Sequence, residues 1–362
     1  MSNAKYIEVA GTHRERGFQH GKELKGEVHE FYGNWLKAAL AIKNPPTEDE
    51  IIAYSKLLLP DSAEYAPELI EELEGIAEGA GISFDRLFSI NCFDEICCYG
   101  LDNLPAKFRG CTVFGATGTA TVGGKTYIGQ GWDISRWYVP IFCRSKPSET
   151  GERETVFITH PGMLGGPGMN DAGIAFVWSS LNATDKRPSG VPAIFIGRRI
   201  LQKTTLSEGL DVILNTKRAH GFNMMVASPE AAVDVQTTAE KQFSTYVQDV
   251  FGIANHYEAP FLLPYEGGYT HTIVDTIVRS GRMRQLLEKH KEKIDLNVCK
   301  EMLCDHVNYP CSICRHETLH SMADTVSALI FAPGEGLMLA SKGPPCDNGF
   351  EEYRIGVKPV RK

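Results

Sequence analysis

The residues best suited to chemistry stand in one stretch, Arg109 to Asp133, which reads RGCTVFGATGTATVGGKTYIGQGWD. A glycine directly before Cys111 removes side-chain hindrance at the carbonyl that the cysteine sulfur would attack, and it tolerates the strained backbone an N-to-S acyl shift needs. If the chain cuts its own Gly110–Cys111 bond, Cys111 becomes a new N-terminus. Such a residue carries nucleophile and base together: an α-amine with a reference pKa of about 7.7 to 8.0 can take the thiol proton at neutral pH and return it to a leaving amine. The plain alternative is a buried structural cysteine, the common fate of a lone Cys. Cys304, His306, Cys311, Cys314 and His316 form a second dense group with one C-x-x-C, a pattern able to chelate zinc. Gly123-Gly-Lys-Thr126 is not a phosphate loop, because Thr119 stands where that motif needs its first glycine and the context is a hairpin.

The elements that must position these groups change character at Cys111. Before it the chain reads as helical. Val28, Phe31, Trp35 and Leu36 share one face of a helix running from Glu27 to Ile42, which Pro45 and Pro46 stop. A second helix opens at Pro67 with Glu68, Glu71 and Glu72 early, carries Leu69, Ile70, Leu73, Ile76 and Ala77 on one stripe, and ends at Gly79 and Gly81. Ser83 caps a third that runs through Leu87, Ile90 and Ile96.

After Cys111 the pattern is extended. Thr112-Val-Phe and Thr126-Tyr-Ile flank Val122-Gly-Gly-Lys125 as a β-hairpin. With the turn centred on Gly123, facing residues have numbers that sum to about 246, so Asp133 opposes Val113 and shares a face with Cys111, about 7 Å away along the strand. A slip of one residue would turn Asp133 to the other face. Strands are expected at 155–159, 173–178, 224–227, 232–236, 250–254, 327–331 and 336–340. Helices are expected near 194–201, 206–214, 277–290 and 296–303, which together read as a layered α+β domain rather than separable units.

Composition agrees with an ordinary globular chain of 362 residues, 43% hydrophobic, with net charge -8 and no basic face, so nucleic acid is not an expected partner. No apolar run is long enough for a membrane helix, and the polar start Met1 to Lys5 lacks the core of a secretory signal. A cytoplasmic protein with reduced thiols is expected.

Other segments carry a resemblance. Gly110-Cys-Thr to Gly131-Trp-Asp133 looks like the processing site of the acyl-coenzyme A:isopenicillin N acyltransferase family, N-terminal-nucleophile (Ntn) enzymes related to choloylglycine hydrolases. Arg16-Gly17 with His20-Gly21, Glu71 to Gly81, Gly168 to Gly173, Ala254-Asn-His256, Asp305 to Pro310 and Ser312 to His316 agree with it in order. The resemblance implies a single domain, residues 1–362, with a four-layered αββα Ntn fold, cut between Gly110 and Cys111 into an α chain 1–110 and a β chain 111–362.

It also implies roles: Cys111 as nucleophile, Asp133 orienting the new amine, Asn255 as oxyanion-hole donor and Arg279 as the catalytic arginine. Val278 stands where relatives often have Ser, and Arg282, on the same helix face, is the competitor. His20 and His256 are open between pocket and packing roles, and the stretch from Gly162 to Gly168 reads as a loop crossing near the site. The activity implied is a cysteine amidohydrolase or acyltransferase working on a small-molecule amide or acyl-thioester. No cofactor and no metal are expected, the Cys304 to His316 group then being ordinary packing, and homo-oligomerisation stays open. The competing readings are a zinc-stabilised binding protein and an uncleaved, non-catalytic relative.

Overall fold

The structure, a computed structural model, describes residues 4–41, 45–99, 109–267, 274–319, 321 and 323–357. The polar start Met1 to Asn3 and the helix end expected at Ile42 lie outside the described residues. Strand β1 (Lys5–Gly11) leads into helices α1 (His13–Glu23), α2 (Lys25–Leu40), α3 (Glu48–Tyr65), α4 (Pro67–Ala80), α5 (Phe84–Asn91) and α6 (Phe93–Tyr99). Strands β2 (Arg109–Ala116), β3 (Tyr127–Ile134), β4 (Ile141–Pro147), β5 (Thr155–Thr159), β6 (Gly168–Asn170) and β7 (Ala175–Ser180) precede α7 (Ala193–Ile200) and α8 (Leu206–Asn215). Then come β8 (Phe222–Ala227), β9 (Ala232–Thr237), β10 (Gln242–Tyr246), β11 (Val250–Ile253), α9 (Asp275–Lys289) and α10 (Leu296–Leu303). The chain closes with β12 (Asp324–Ala332), β13 (Leu337–Ala340), α11 (Pro345–Asn348) and β14 (Glu351–Arg354).

The strands form two sheets, ordered β1-β4-β5-β6-β7-β8-β9-β10 and β11-β2-β3-β12-β13-β14. All neighbours are antiparallel except β1 with β4. Alternate side chains on one strand serve different layers. On β7, Phe176 and Trp178 join the core formed with the first eight helices, while Ala175 and Val177 join the core between the sheets. On β12, Leu329 and Phe331 face that middle core, while Ala328 and Ile330 face Met283, Leu287 and Met302 of α9 and α10. The order helix, sheet, sheet, helix is the expected αββα arrangement.

The α1 and α4 pair is packed closely enough that only glycine fits at four positions. A Cβ on Gly17 or Gly21 would sit 2.0 Å from Glu72 O or 2.1 Å from Ile76 O, and one on Gly75 or Gly79 would sit 2.3 Å from Arg14 O or Phe18 O. This explains both glycine pairs at i, i+4 spacing. Gly79 therefore lies inside α4, and the stop is Gly81, left-handed at φ 69.

Beside this contact, buried Glu72 bonds Arg198 of α7 at 2.7 and 2.9 Å and His13 at 3.0 Å. Burial alone would raise Glu72, but Arg198, His13 and Arg16 outweigh it and hold its carboxyl well below the usual range.

Helix α3 was not among the expected elements; a Thr47–Glu50 capping box starts it, and it continues through Pro60.

The largest correction concerns the turn after β2. Rather than a tight hairpin on Gly123, residues 117–126 make a longer connection. It is hooked by hydrogen bonds from Thr117 N to Asp249 O, Val122 N to Ile294 O and Ile294 N to Ala120 O. The register is Ala116 with Tyr127 and Gly110 with Asp133, so the paired numbers sum to 243 (116 + 127) and Asp133 does not oppose Val113.

Replacing Gly79 or Gly21 by Ala should lower unfolding free energy in urea by about 2 to 4 kcal/mol. Gly33→Ala on α2, where a Cβ meets nothing within 4 Å, should be neutral or stabilise by up to ~1 kcal/mol. Equal effects at the two kinds of site would refute the close-packing account.

Candidate active site

Residue 111 lies where β2 outlasts its neighbour. Strand β11 pairs with β2 so that 250 + 116 and 253 + 113 both give 366, which places Asn255, two residues past the end of β11, opposite Cys111. The Asn255 side chain replaces the missing ladder bond: its Oδ1 accepts the Cys111 N–H at 2.8 Å. Asn255 is itself held, its N–H donating to Thr276 Oγ1 at 2.6 Å and its Nδ2 donating to Ser180 O at 3.1 Å. From α9, Arg279 donates through Nη1 to Cys111 O at 2.5 Å and to Thr112 Oγ1 at 3.1 Å, and through Nη2 to Asn255 Oδ1 at 3.0 Å. The main chain of residue 111 is thus gripped on one side by an amide and a guanidinium.

Arg282 is elsewhere. It pairs with Asp305 at 2.6 Å and touches no part of this site. Of the two arginines weighed, Arg279 is the one brought to Cys111.

Backbone groups of successive strand residues point to opposite sides. The Gly110 carbonyl therefore faces β3, where its register partner is Asp133. The Cys111 side chain follows the alternation of Val113 toward the space between the sheets, and it is almost fully buried. Burial, with the nearby Asp133 charge, pushes this thiol up to about 12, against the smaller opposing effects of Arg279 and the Asp133 backbone amide. In the continuous chain the sulfur is a neutral thiol and its nitrogen is an amide.

Asp133 lies on the other face of the sheet, the face Gly110 shares. Its carboxylate is fully buried, accepts from Thr325 Oγ1 at 2.7 Å, and forms a 3.5 Å ion pair with Arg315. Arg315 reaches on to Asp275 at 2.5 Å, and Asp275 pairs with Arg279 at 3.1 Å. Burial raises Asp133 to about 6, with Arg315 and Arg279 pulling in the opposite direction. Its Oδ2 accepts no hydrogen bond among the described residues, and it lies 3.5 Å from where a Gly110 Cβ would stand, with Arg279 Nη2 at 3.2 Å from the same point. Any side chain at residue 110 would press into this pair of charges.

Sequence reasoning did not single out Arg315, Asp275 or Thr325. Arg315 was visible only as one letter of Ser312 to His316, and Asp275 only as the residue four before Arg279, the spacing that lets them pair on a helix.

The thiol side opens on a pocket lined by Phe93, Trp132, Tyr138, Trp178 and Phe222, with His160 and Met163 beside them and Asp94, Glu95 and Ser180 as polar members. Gly165 joins the lining, so the stretch from Gly162 to Gly168 does cross near the site. Burial lowers His160 to about 4, which keeps its ring neutral against Trp132, 4.9 Å between centroids. His20 is a packing residue: burial lowers it to about 4, and its neutral Nε2 accepts from Gly162 N at 3.1 Å. His256 stands beside the site on Thr276 at 2.9 Å and Glu258 at 3.3 Å.

The acyl-coenzyme A:6-aminopenicillanic acid acyltransferase 40 kDa form of Emericella nidulans is 25% identical over 334 residues, 90% of this chain and 89% of that protein. The β-alanyl-dopamine/carcinine hydrolase of Drosophila melanogaster is 24% identical over 222 residues, 56% of this chain and 55% of that protein. Among solved structures, a mutant conjugated bile acid hydrolase from Clostridium perfringens superposes with a TM-score of 0.43 and 12% identity, covering 70% of this chain and 99% of that one. Residues 125–342 match the model of the acyl-coenzyme A:6-aminopenicillanic acid acyl-transferase family, and the chain belongs to that family.

Proposed function

We propose that the chain is a self-processing cysteine amidohydrolase or acyltransferase of the Ntn type, acting on a small amide through an acyl-enzyme on Cys111. The observation that carries this reading is the junction itself. One peptide link, Gly110–Cys111, has its nitrogen on Asn255, the next carbonyl on Arg279, its thiol at the mouth of an aromatic pocket, and an unbonded carboxylate oxygen beside its glycine. The relatives named as an acyltransferase and as a hydrolase support the same chemistry.

In processing, Cys111 Sγ bonds to the Gly110 carbonyl carbon and the C–N bond breaks, leaving a thioester and an α-amine. Water then releases Gly110 as a carboxylate and restores the thiol. With Gly110 gone, the amine turns toward Asp133 Oδ2, which gains the donor it lacks in the continuous chain. In turnover the amine takes the thiol proton while sulfur adds to the substrate carbonyl, then passes it to the leaving amine, and an acyl thioester remains. Water completes hydrolysis, and a second amine completes acyl transfer.

Asn255 Nδ2 donates to Ser180 O at 3.1 Å and, at the longer distance of 3.5 Å, to Ser180 Oγ, and in turnover the N–H of that longer contact turns to the developing oxyanion. Five aromatic side chains in the pocket favour an apolar acyl group.

Intact-mass spectrometry should show wild type as chains 1–110 and 111–362 and Cys111→Ala as one full-length chain. A full-length, active wild type would end the processing claim, and a cut alanine variant would point to an outside protease. Asn255→Ala in a chain already cut should lower kcat by on the order of 10² or more.

The pH dependence follows from Asp133 and the new amine. Below about 6 the Asp133 carboxyl is protonated and cannot hold the amine. In the cut chain the α-amine, with a reference pKa of about 7.7 to 8.0, also takes up a proton and stops serving as base, so kcat/KM should fall as pH drops below that range, and Asp133→Asn should lower kcat/KM across the profile rather than remove the limb. For folding the sign is opposite. A carboxyl raised from 3.8 to about 6 contributes stability fully below 3.8 and loses it as pH rises through 6.

A further inference from the structure

The Cys304 to His316 group does not behave as packing. Loop 304–316 and α11 bring His306, Cys314, His316 and Cys346 together so that one ligand atom of each lies within 4.8 Å of the others. The two sulfurs are 3.6 Å apart, His316 Nε2 is 3.6 Å from Cys314 Sγ and 3.4 Å from Cys346 Sγ, and the Nε2 atoms of His306 and His316 are 3.0 Å apart. A tetrahedral zinc ion with bonds of ~2.3 Å to sulfur and ~2.05 Å to nitrogen has edges of about 3.7 Å between sulfurs, 3.6 Å from sulfur to nitrogen and 3.3 Å between nitrogens. Cys304 and Cys311, from the same stretch, put no ligand atom in the cluster.

We propose that His306, Cys314, His316 and Cys346 form a structural zinc site. The donor chemistry favours this metal: two thiolates and two neutral imidazoles are a borderline-soft set of zinc-finger type, and two thiolates cancel the charge of the ion. Four protein ligands fill a tetrahedron, so the site is closed and takes no part in turning over substrate. Without a metal, two imidazole nitrogens face each other beside two thiols, which are weak donors, and four polar side chains from two segments converge for little hydrogen-bond gain.

Placement gives the site a purpose. Cys314 and His316 flank Arg315, whose guanidinium points the other way to Asp133 and Asp275. An ion clamped on the residues either side of Arg315, and tied by Cys346 to α11, fixes the loop that presents the arginine.

The test uses the full-length protein purified under reducing conditions and then loaded with zinc, with metal counted by elemental mass spectrometry after gel filtration. One zinc per chain is expected, and cobalt exchanged in its place should give the visible absorption of a tetrahedral site with a near-ultraviolet thiolate-to-cobalt band. Cys346→Ser and His306→Ala, both at exposed residues, should lose the ion and keep cooperative unfolding, while Cys304→Ser and Cys311→Ser should retain it. The proposal is overturned if wild type holds well below one equivalent, if Cys346→Ser binds as wild type does, or if thiol counting finds Cys314 and Cys346 joined as a disulfide. Because the readout is metal content, its failure is distinct from failure of Cys111 processing.

Discussion

A fully buried carboxylate, Asp133, sets the terms for this molecule. Moving such a charge out of water costs several kcal/mol unless it is paired, and stranding it by removing a partner costs about 3 to 5 kcal/mol. The solution is an alternating row, Asp133, Arg315, Asp275, Arg279, two acids and two guanidiniums that sum to zero. Each comes from a different place: β3, the segment before β12, the first turn of α9 and its second turn. None of these elements can shift without breaking the row, so the outer face of the second sheet is locked at the level of residue 110.

Arg279 carries that rigidity across to Cys111. The guanidinium that closes the charge row also donates to Cys111 O and Asn255 Oδ1. Asn255 in turn occupies the ladder position that β11 leaves empty, so a strand ending early becomes a fixed hydrogen-bonding group rather than a frayed edge. On the other side of β2 no comparable clamp exists among the described residues. There the thiol meets aromatic rings and space, and a substrate acyl group has somewhere to go.

How much of this was legible depended on range. Gly110 and Cys111 could be chosen from their own pairing, Asp133, Asn255 and Arg279 through the resemblance, and the structure places all five around one junction. Local hydrophobic periodicity gave the elements and a layered α+β domain, while the αββα order of the layers came from the resemblance. The register of β2 on β3 could not, because Ile294 and Asp249, far along the chain, set the shape of residues 117–126. That error of three moved Asp133 to the opposite face. Arg315 went unread because it sits in an irregular loop where no periodicity marks direction. Cys346 went unread because the twenty-nine residues between it and His316 hide the convergence.

The corrected register makes the position of the proposed cut more informative. The Cys111 thiol and the charge row stand on opposite faces of one sheet, and in the continuous chain the main chain at residues 110 and 111 belongs to both. As an amide, the Cys111 nitrogen is held in the plane of the sheet toward Asn255 and offers Asp133 nothing. In the proposed cycle, breaking the Gly110–Cys111 bond changes this nitrogen from a planar amide into an amine free to rotate about the N–Cα bond. It can then donate to Asp133 on one face while accepting a proton from the thiol on the other. A bond one residue to either side would free a nitrogen serving only one of these faces. On this reading the location of the cut follows from the sheet, the one place where a single new amine couples a buried carboxylate to a buried thiol.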